Sequence, residues 1–124
     1  MPEPEGSGLE RALDRIRSQA RKGEIRITAH AHQEMVEENI TTDELLQALE
    51  KGKVLENYPE HRRGACCLLS GFTAFKRPIH VVCTTGRELL IVITAYEPRP
   101  PKWRTPTVRG GQNEVQPGGL LRLL

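Results

Sequence analysis

The first half of the chain repeats its apolar residues at the spacing of a helix. Before Gly23 these residues are Leu9, Ala12, Leu13, Ile16 and Ala20. Because they recur every three or four positions, they predict an amphipathic helix. Ser7 and Glu10 fit a capping box at its start, and Gly23 ends it. Residues 1–8 contain two prolines and two glycines, a composition that predicts a disordered N-terminus.

Two further helices are predicted by their end signals. Thr28 can cap a helix that runs to about Asn39, because its hydroxyl can accept a hydrogen bond from a backbone N–H of the first turn. Thr41 and Glu44 form a second capping box. The apolar positions that follow continue at helical spacing until Gly52. The third helix therefore ends there.

After Gly52 the pattern changes from helical spacing to alternation. The four candidate strands are residues 54–58, 65–70, 79–84 and 89–95. Gly86 marks a turn between the last two, which favours an antiparallel meander. Residues 25–27 predict a short strand or an extended link. Helices followed by strands indicate an α+β domain, with N-terminal helices packed on a four-stranded, mainly antiparallel sheet.

The predicted domain covers residues 9–103. Residues 104–124 contain repeated prolines and glycines, which predict a flexible C-terminal tail, ending in the apolar pentapeptide 120–124. No apolar run approaches the roughly 20 residues that a membrane span needs, and the acidic N-terminus is unlike a signal peptide. We therefore expect a cytoplasmic protein. In that compartment the odd set Cys66, Cys67 and Cys83 should be reduced thiols in the core.

The net charge of +2 conceals a division along the chain. Residues 1–60 hold 8 Lys and Arg against 13 Asp and Glu, whereas residues 61–124 hold 10 against 3. A basic second half could attract a phosphate backbone. Charge on one half of a sequence need not form one patch in space.

Two histidines lie in the second predicted helix. Helical spacing places His32 on a stripe with Ala31, Met35 and Val36, which indicates a structural role. His30 lies on the polar side near the helix start, one turn before Glu34. It could meet solvent or a substrate there. The alternative is a solvated or cap-bound side chain.

A second set of polar residues lies on the last two predicted strands. If these strands pair through the Gly86 turn, alternation places His80, Thr94 and Tyr96 on one sheet face. An imidazole, a hydroxyl and a phenol on one rigid surface can hold a phosphate and move a proton. The alternative is that they are cross-strand hydrogen-bonding partners.

Cations are concentrated in two further segments. Arg62 and Arg63 precede Gly64 in a loop, and Lys102 and Arg104 flank Trp103. Arginine can grip a phosphate in fork geometry, and tryptophan can stack on a base. Solvated loop charge is the alternative interpretation of either group.

Metal and nucleotide sites are disfavoured by spacing. His30 and His32 diverge on a helix, and Cys66 and Cys67 point to opposite faces of a strand. The chain contains no nucleotide-loop, hydrolase-elbow or zincin motif. We expect neither a metal nor another cofactor.

Four blocks of the sequence resemble domain of unknown function 4258. The blocks are residues 27–35, 58–64, 78–82 and 93–103, in this order. That family resembles the fold shared by RelE-type toxins, barnase-like ribonucleases and colicin-type ribonucleases, and its members look like toxins of two-gene toxin and antitoxin pairs. Many relatives have Arg where this chain has Glu34, and Arg-Gly where it has Glu38-Asn39.

The resemblance implies a metal-independent, ribonuclease-like toxin domain. The polar positions that it carries over are His30, Arg63, His80, Thr94 and Tyr96. We expect His80 to act as acid or base with His30 as its partner, Arg63 to stabilise the phosphate charge, and Tyr96 to orient the phosphate. The expected RNA-binding residues are Arg62, Lys102, Trp103 and Arg104.

The expected partners are RNA, free or on the ribosome, and a cognate antitoxin protein. Two alternatives remain open at this point. The domain could be a non-catalytic module that binds RNA or protein, or an inactive relative of the family in which Glu34 and Glu38 mark lost activity.

Overall fold

Three helices form the first part of the structure. The computed structural model describes residues 5–62, 64–86 and 88–110. Its helices are α1 (Glu5–Lys22), α2 (Ala29–Glu38) and α3 (Thr42–Lys51). Helix α1 begins at Glu5, so residues 5–8, expected to be disordered, are helical.

The predicted caps of α2 and α3 are confirmed. The Thr28 hydroxyl accepts from the Ala31 N–H at 3.1 Å, and Thr41 and Glu44 make both hydrogen bonds of a capping box. Asn39 ends α2 in the left-handed conformation, with φ 56°. Glycine adopts that conformation most readily, and Asn is the usual substitute.

Five strands form one mixed sheet. They are β1 (Ile25–Ile27), β2 (Lys53–Tyr58), β3 (Cys66–Phe72), β4 (Pro78–Thr84) and β5 (Leu90–Tyr96), in the order β1-β5-β4-β3-β2. Strand β1 is parallel to β5, and the other pairs are antiparallel. The α+β prediction is confirmed. The predicted four-stranded antiparallel sheet is corrected, because residues 25–27 add a parallel strand.

A two-stranded hairpin follows the sheet. Strands β6 (Trp103–Thr105) and β7 (Val108–Arg109) pair with each other, and we call residues 103–109 the hairpin. The regular structure therefore continues beyond Trp103, where the sequence placed the end of the domain. Residues 111–124, including the apolar pentapeptide, lie outside the described residues.

The main core lies between the three helices and one sheet face. It includes Ile16, Met35, Leu45, Leu49, Cys67, Leu69, Ile79, Val81, Cys83 and Val92, all buried. All three cysteines are buried free thiols, as predicted. Among the described residues, none of the helices combines the length and the apolar character of a membrane span.

The hairpin covers the opposite sheet face. There a smaller apolar cluster contains Cys66, Leu68, Val82, Ile93, Tyr96 and Trp103. The sheet is thus enclosed between helices on one side and the hairpin on the other. This second side carries the polar residues described below.

A β-bulge changes the predicted facing of β5. Val82 is opposite Thr94 and Cys83 is opposite Val92, which leaves Ile93 as an extra residue. Val92 consequently packs in the helix-side core, whereas Ile93 and Tyr96 pack on the hairpin side. The regular alternation assumed from the sequence is broken, because a bulge inserts one residue into one strand of a pair.

Helix α2 buries a narrower stripe than the sequence suggested. Ala31 and Met35 are buried, but His32 is exposed and Val36 is 63% exposed. The structural role predicted for His32 is therefore corrected. The reason is that α2 packs one narrow face on β5 and turns these two neighbours outward.

Candidate active site

His80 and Tyr96 lie directly opposite each other on β4 and β5. The His80 Nδ1 atom is 3.2 Å from the Tyr96 hydroxyl, and Nε2 is 2.6 Å from the Pro106 carbonyl oxygen of the hairpin. The side chain of His80 is 0% exposed. Both ring nitrogens are thus occupied, and the hairpin separates the imidazole from solvent.

The hydrogen bonds fix the tautomer of His80. A carbonyl oxygen can only accept, so Nε2 carries the proton toward Pro106, and Nδ1 accepts from the Tyr96 hydroxyl. Burial lowers the pKa of His80 from 6.5 to about 4, although the Pro106 hydrogen bond and the Glu56 charge act in the opposite direction. His80 is therefore a neutral imidazole at pH 7.

An ion pair lies beside this histidine. Arg109 on β7 donates to both carboxylate oxygens of Glu56 on β2, through Nε and Nη2 at 2.7 Å each. The Tyr58 hydroxyl donates to the same carboxylate. Burial raises the pKa of Glu56, but the hydrogen bonds from Arg109 and Tyr58 outweigh it, so the pKa ends below 4.5.

Trp103 fills the space between the histidine and the ion pair. Its ring meets His80 edge-on at 4.4 Å between centroids, and the Arg109 guanidinium carbon lies 4.7 Å from the ring centroid. Trp103 is only 2% exposed. This placement corrects the expected role of Trp103 as an exposed stacking residue.

These side chains form one unit on the hairpin side of the sheet. We call it the polar cluster, and its members are Glu56, Tyr58, His80, Tyr96 and Arg109. It holds a carboxylate, an imidazole and a guanidinium within mutual electrostatic range, since the charges of Glu56 and Arg109 both affect the pKa of His80. Burial raises the pKa of Tyr96 well above its ordinary value, so its phenol stays protonated.

Two other predicted residues meet at Glu34 instead. The Thr94 hydroxyl donates to the Glu34 carboxylate, and the same oxygen lies 3.4 Å from Nε2 of His30, which is half exposed. Thr94 shares the sheet face of His80 and Tyr96 in the strand register, as predicted, but its hydroxyl bonds to Glu34. His30 and His80 share no open cleft, because His80 has no exposed surface.

Glu34 and Glu38 seal the free edge of β5. The Ala95 N–H donates to Glu34 and the Glu97 N–H donates to Glu38, each at 3.0 Å. Four residues of helix span about 6 Å, and two residues of strand span about 6.8 Å. The two carboxylates therefore match two successive outward N–H groups, a role for both acids that the sequence did not reveal.

Ion pairs join the basic second half of the chain to the acidic first half. Arg99 pairs with Glu38 at 3.0 Å, and Arg109 pairs with Glu56. Arg77 contacts both Glu44 and Glu97. The division of charge along the sequence is thus partly cancelled in the fold, and it does not by itself indicate a basic surface.

The remaining predicted RNA-binding residues are dispersed. Arg62 and Arg104 are exposed. Lys102 is half-buried, and burial lowers its pKa, as does the charge of Arg109, while Glu34 raises it. Arg63 lies outside the described residues.

A separate groove of about 420 Å³ lies at the start of α1. Arg11, Arg15, Asn57 and Thr85 are among its lining residues, and none of the predicted site residues lines it. Within the described ranges, no three His, Cys, Asp or Glu side chains are grouped in a way that could hold a metal ion.

Comparison with known families gives one match. The family described as Domain of unknown function (DUF4258) matches residues 27–97, which is more than half of the chain. The chain belongs to the DUF4258 family. Comparisons with curated proteins and with solved structures gave no significant match.

The DUF4258 match includes four of the five members of the polar cluster. Glu56, Tyr58, His80 and Tyr96 lie within residues 27–97, whereas Arg109 and the hairpin lie beyond them. Sequence reasoning missed Glu56, Tyr58 and Arg109. The Glu56-x-Tyr58 spacing indicates a shared strand face, but Arg109 has no local signal in a segment that reads as a tail.

The neutral His80 predicts a pH dependence of the DUF4258 fold. Above pH 6.5 the imidazole is neutral in both folded and unfolded chains. Between pH 6.5 and about 4, the unfolded chain binds a proton that the folded chain does not, so stability falls as pH falls. His80→Gln should lower the slope of unfolding free energy against pH by the amount expected for roughly one bound proton. Urea unfolding from pH 4.5 to 7.5 measures this slope.

The control for this experiment is His32→Gln, which changes an exposed imidazole. Carboxylates titrate in the same range, but they are common to all three proteins, so the difference between variants isolates the histidine. A His80→Gln protein with the wild-type slope would contradict a buried neutral His80.

Proposed function

We propose that this domain is a metal-independent endoribonuclease of the toxin type, with the polar cluster as its catalytic centre. The observation that supports this proposal is the placement of Glu56, His80 and Arg109 together on one sheet face. RNA cleavage by its own 2′-hydroxyl requires a base, an acid and a cation at the phosphate. These three side chains supply one group of each kind.

Glu56 is the proposed general base. Its pKa below 4.5 keeps it ionised at neutral pH, so it can take the proton of the 2′-hydroxyl. The 2′-oxygen then bonds to phosphorus, and the bond from phosphorus to the 5′-oxygen breaks. Arg109, which now pairs with Glu56 in fork geometry, would turn to the non-bridging phosphate oxygens.

His80 is the proposed general acid that protonates the departing 5′-oxygen. The products are a 2′,3′-cyclic phosphate and a 5′-hydroxyl. Because His80 is 0% exposed beneath the hairpin, the proposal requires the hairpin to shift before RNA can reach it. Opening removes the burial that lowers the pKa of His80, so the imidazole can then be protonated near neutral pH. Tyr96 holds the imidazole through Nδ1.

The test is cleavage of a mixed single-stranded RNA pool in excess EDTA, read out as new 2′,3′-cyclic phosphate ends. Glu56→Gln should lower the rate by about 100-fold or more, because the amide fills the same space but cannot accept the proton. Glu50→Gln, an exposed carboxylate on α3, is the matched control. RNA with 2′-O-methyl groups throughout should not be cut.

A non-catalytic RNA-binding module is the second candidate. The observation that favours it is the full burial of His80, with both nitrogens bonded. In that case the polar cluster only attaches the hairpin to the sheet. Wild-type protein that binds RNA with a steep salt dependence but produces no cyclic phosphate would support the module and reject the nuclease.

A toxin of a two-gene pair would also have an antitoxin partner. We propose that induced expression arrests growth, that Glu56→Gln relieves the arrest while Glu50→Gln does not, and that the antitoxin is a protein that covers the hairpin side of the sheet. Equal arrest by wild type and Glu56→Gln would reject the cluster as the source of toxicity.

A further inference from the structure

Both phenylalanines of the chain are exposed at one turn. The sequence contains two Phe residues. Phe72, at the end of β3, is 42% exposed, and Phe75, in the turn before β4, is 95% exposed. Burying a Phe side chain normally stabilises a fold by about 1.5–3 kcal/mol. Here that stabilisation is almost absent at Phe75 and only partial at Phe72, in a chain that has few aromatic residues.

Phe72 lies on the same sheet face as the polar cluster. Alternation along β3 places Leu68, Ser70 and Phe72 on one face. Leu68 packs in the hairpin-side cluster, and the Ser70 hydroxyl donates to the Pro106 carbonyl at 3.4 Å. Ser70 is also opposite His80 in the register. Phe72 is thus about 7 Å along β3 from Ser70, the residue opposite His80.

The turn that carries Phe75 is fixed by hydrogen bonds. The Thr73 N–H donates to the Arg77 carbonyl, and the Lys76 N–H donates to the Thr73 carbonyl, each at 2.9 Å. The Ala74 N–H donates to the Gln47 side chain of α3 at 2.8 Å. Phe75 is therefore presented on an ordered turn, which reduces the entropy lost when a ligand binds.

Two exposed cations belong to the segments that adjoin this aromatic pair in the sequence or across the sheet. Lys76 is exposed next to Phe75, and Arg104 is exposed on β6 of the hairpin, which contacts Ser70. The nearby carboxylates of Glu44 and Glu97 are paired with Arg77. An exposed aromatic surface with cations beside it is the combination that binds unpaired bases and their phosphates.

We propose that Phe72 and Phe75 form a base-stacking platform for single-stranded RNA at the rim of the polar cluster. Lys76 and Arg104 contact the backbone of the same strand. The choice of RNA as the ligand rests on the proposed function. The platform takes the role that the sequence assigned to Trp103, which is buried.

The test measures binding of a labelled single-stranded 2′-O-methyl oligonucleotide of mixed sequence, by fluorescence anisotropy in EDTA. Phe75→Ala should weaken binding by about 5- to 150-fold, the range for loss of one stacked base. The control is Val36→Ala, which also removes an exposed apolar side chain, but on α2 and away from the proposed platform. Val36 is 63% exposed, and its loss should change affinity less than twofold. The fully duplexed form should bind more weakly than the single strand.

Salt dependence separates stacking from charge. Phe75→Ala should leave the slope of affinity against salt unchanged, whereas Lys76→Gln should reduce it by roughly one phosphate contact. Phe72→Ala repeats the test on the second ring. Equal affinities of Phe75→Ala, Phe72→Ala and Val36→Ala, or no binding by any protein, would overturn the platform. If Phe75→Ala bound RNA as tightly as wild type but no longer self-associated, the turn would instead be a site of contact between protein molecules.

The two proposals fail separately. Phenylalanine-dependent binding without cyclic phosphate products would retain the platform and reject the nuclease. Cleavage whose kcat/KM is the same in Phe75→Ala and wild type, with unchanged oligonucleotide binding, would retain the nuclease and reject the platform. If both hold, Phe75→Ala should lower kcat/KM while kcat at saturating RNA stays near the wild-type value, because the phenylalanines do not touch the reacting atoms.

Discussion

Gly71→Ala is expected to destabilise the fold by about 3 kcal/mol. A Cβ atom at Gly71 would lie 2.2 Å from the Ala48 carbonyl oxygen, and 2.8 and 2.9 Å from two other backbone atoms of Ala48. These atoms belong to the middle of α3, which Leu45 and Leu49 fix in the main core. Backbone cannot rotate away as a side chain can, so α3 must separate from the sheet. Urea unfolding at neutral pH measures the loss.

Gly86→Ala is the matched control for this substitution. A Cβ at Gly86 meets nothing within 4 Å, and neither glycine has a positive φ. Both variants make the same chemical change, so only the close approach to α3 distinguishes them. Similar urea midpoints for the two variants would show that α3 can shift without cost and that the contact is unimportant.

The local elements of the fold were predictable because their signals are local. Thr28, and Thr41 with Glu44, cap helices through residues three positions away or fewer, and glycine ended the third helix. The pairing of His80 with Tyr96 also followed from the sequence. It required only the alternation of two neighbouring strands and the turn at Gly86 between them.

The remaining features depend on contacts between distant segments. Strand β1 joins β5 in parallel across a long connection, and no signal in residues 25–27 specifies that partner. The bulge at Ile93 moves Val92 to the helix-side core without any glycine or proline to mark it. The requirement for glycine at position 71 comes from the close approach of the Ala48 backbone. That approach results from the packing of α3 on the sheet and has no local signal in the sequence.

The candidate site was half predictable for the same reason. His80 and Tyr96 were brought together as expected, whereas Glu56 reached them only through the strand order that places β2 beyond β3. Arg109 belongs to a segment whose glycines and prolines indicate a tail. Apart from Trp103, its hairpin is attached by polar contacts, such as the Pro106 carbonyl on His80 and Arg109 on Glu56, that no pattern of apolar residues encodes.

Arg77→Met is expected to lower the free energy of unfolding by about 3 kcal/mol. The Arg77 guanidinium donates to the Glu38 carbonyl at 2.6 Å and to the Asn39 carbonyl at 2.9 Å, so it satisfies the open carbonyls at the end of α2. It also pairs with Glu97 at 2.7 Å and with Glu44 at 3.2 Å. Methionine keeps the stem and leaves all four acceptors without this donor.

Arg26→Met and Arg77→Lys complete this experiment. Arg26 is an exposed cation on β1, and its loss should change stability by less than about 0.5 kcal/mol. Arg77→Lys should fall between wild type and Arg77→Met, because an ammonium keeps the charge but not the planar fork that reaches several acceptors at once. Urea unfolding ranks the four proteins.

Since Arg77 anchors the end of the helix whose Glu34 and Glu38 seal β5, Arg77→Met should also speed amide exchange at Ala95 and Glu97. Equal midpoints for Arg77→Met and Arg26→Met would mean that the network adds nothing to the attachment of α2.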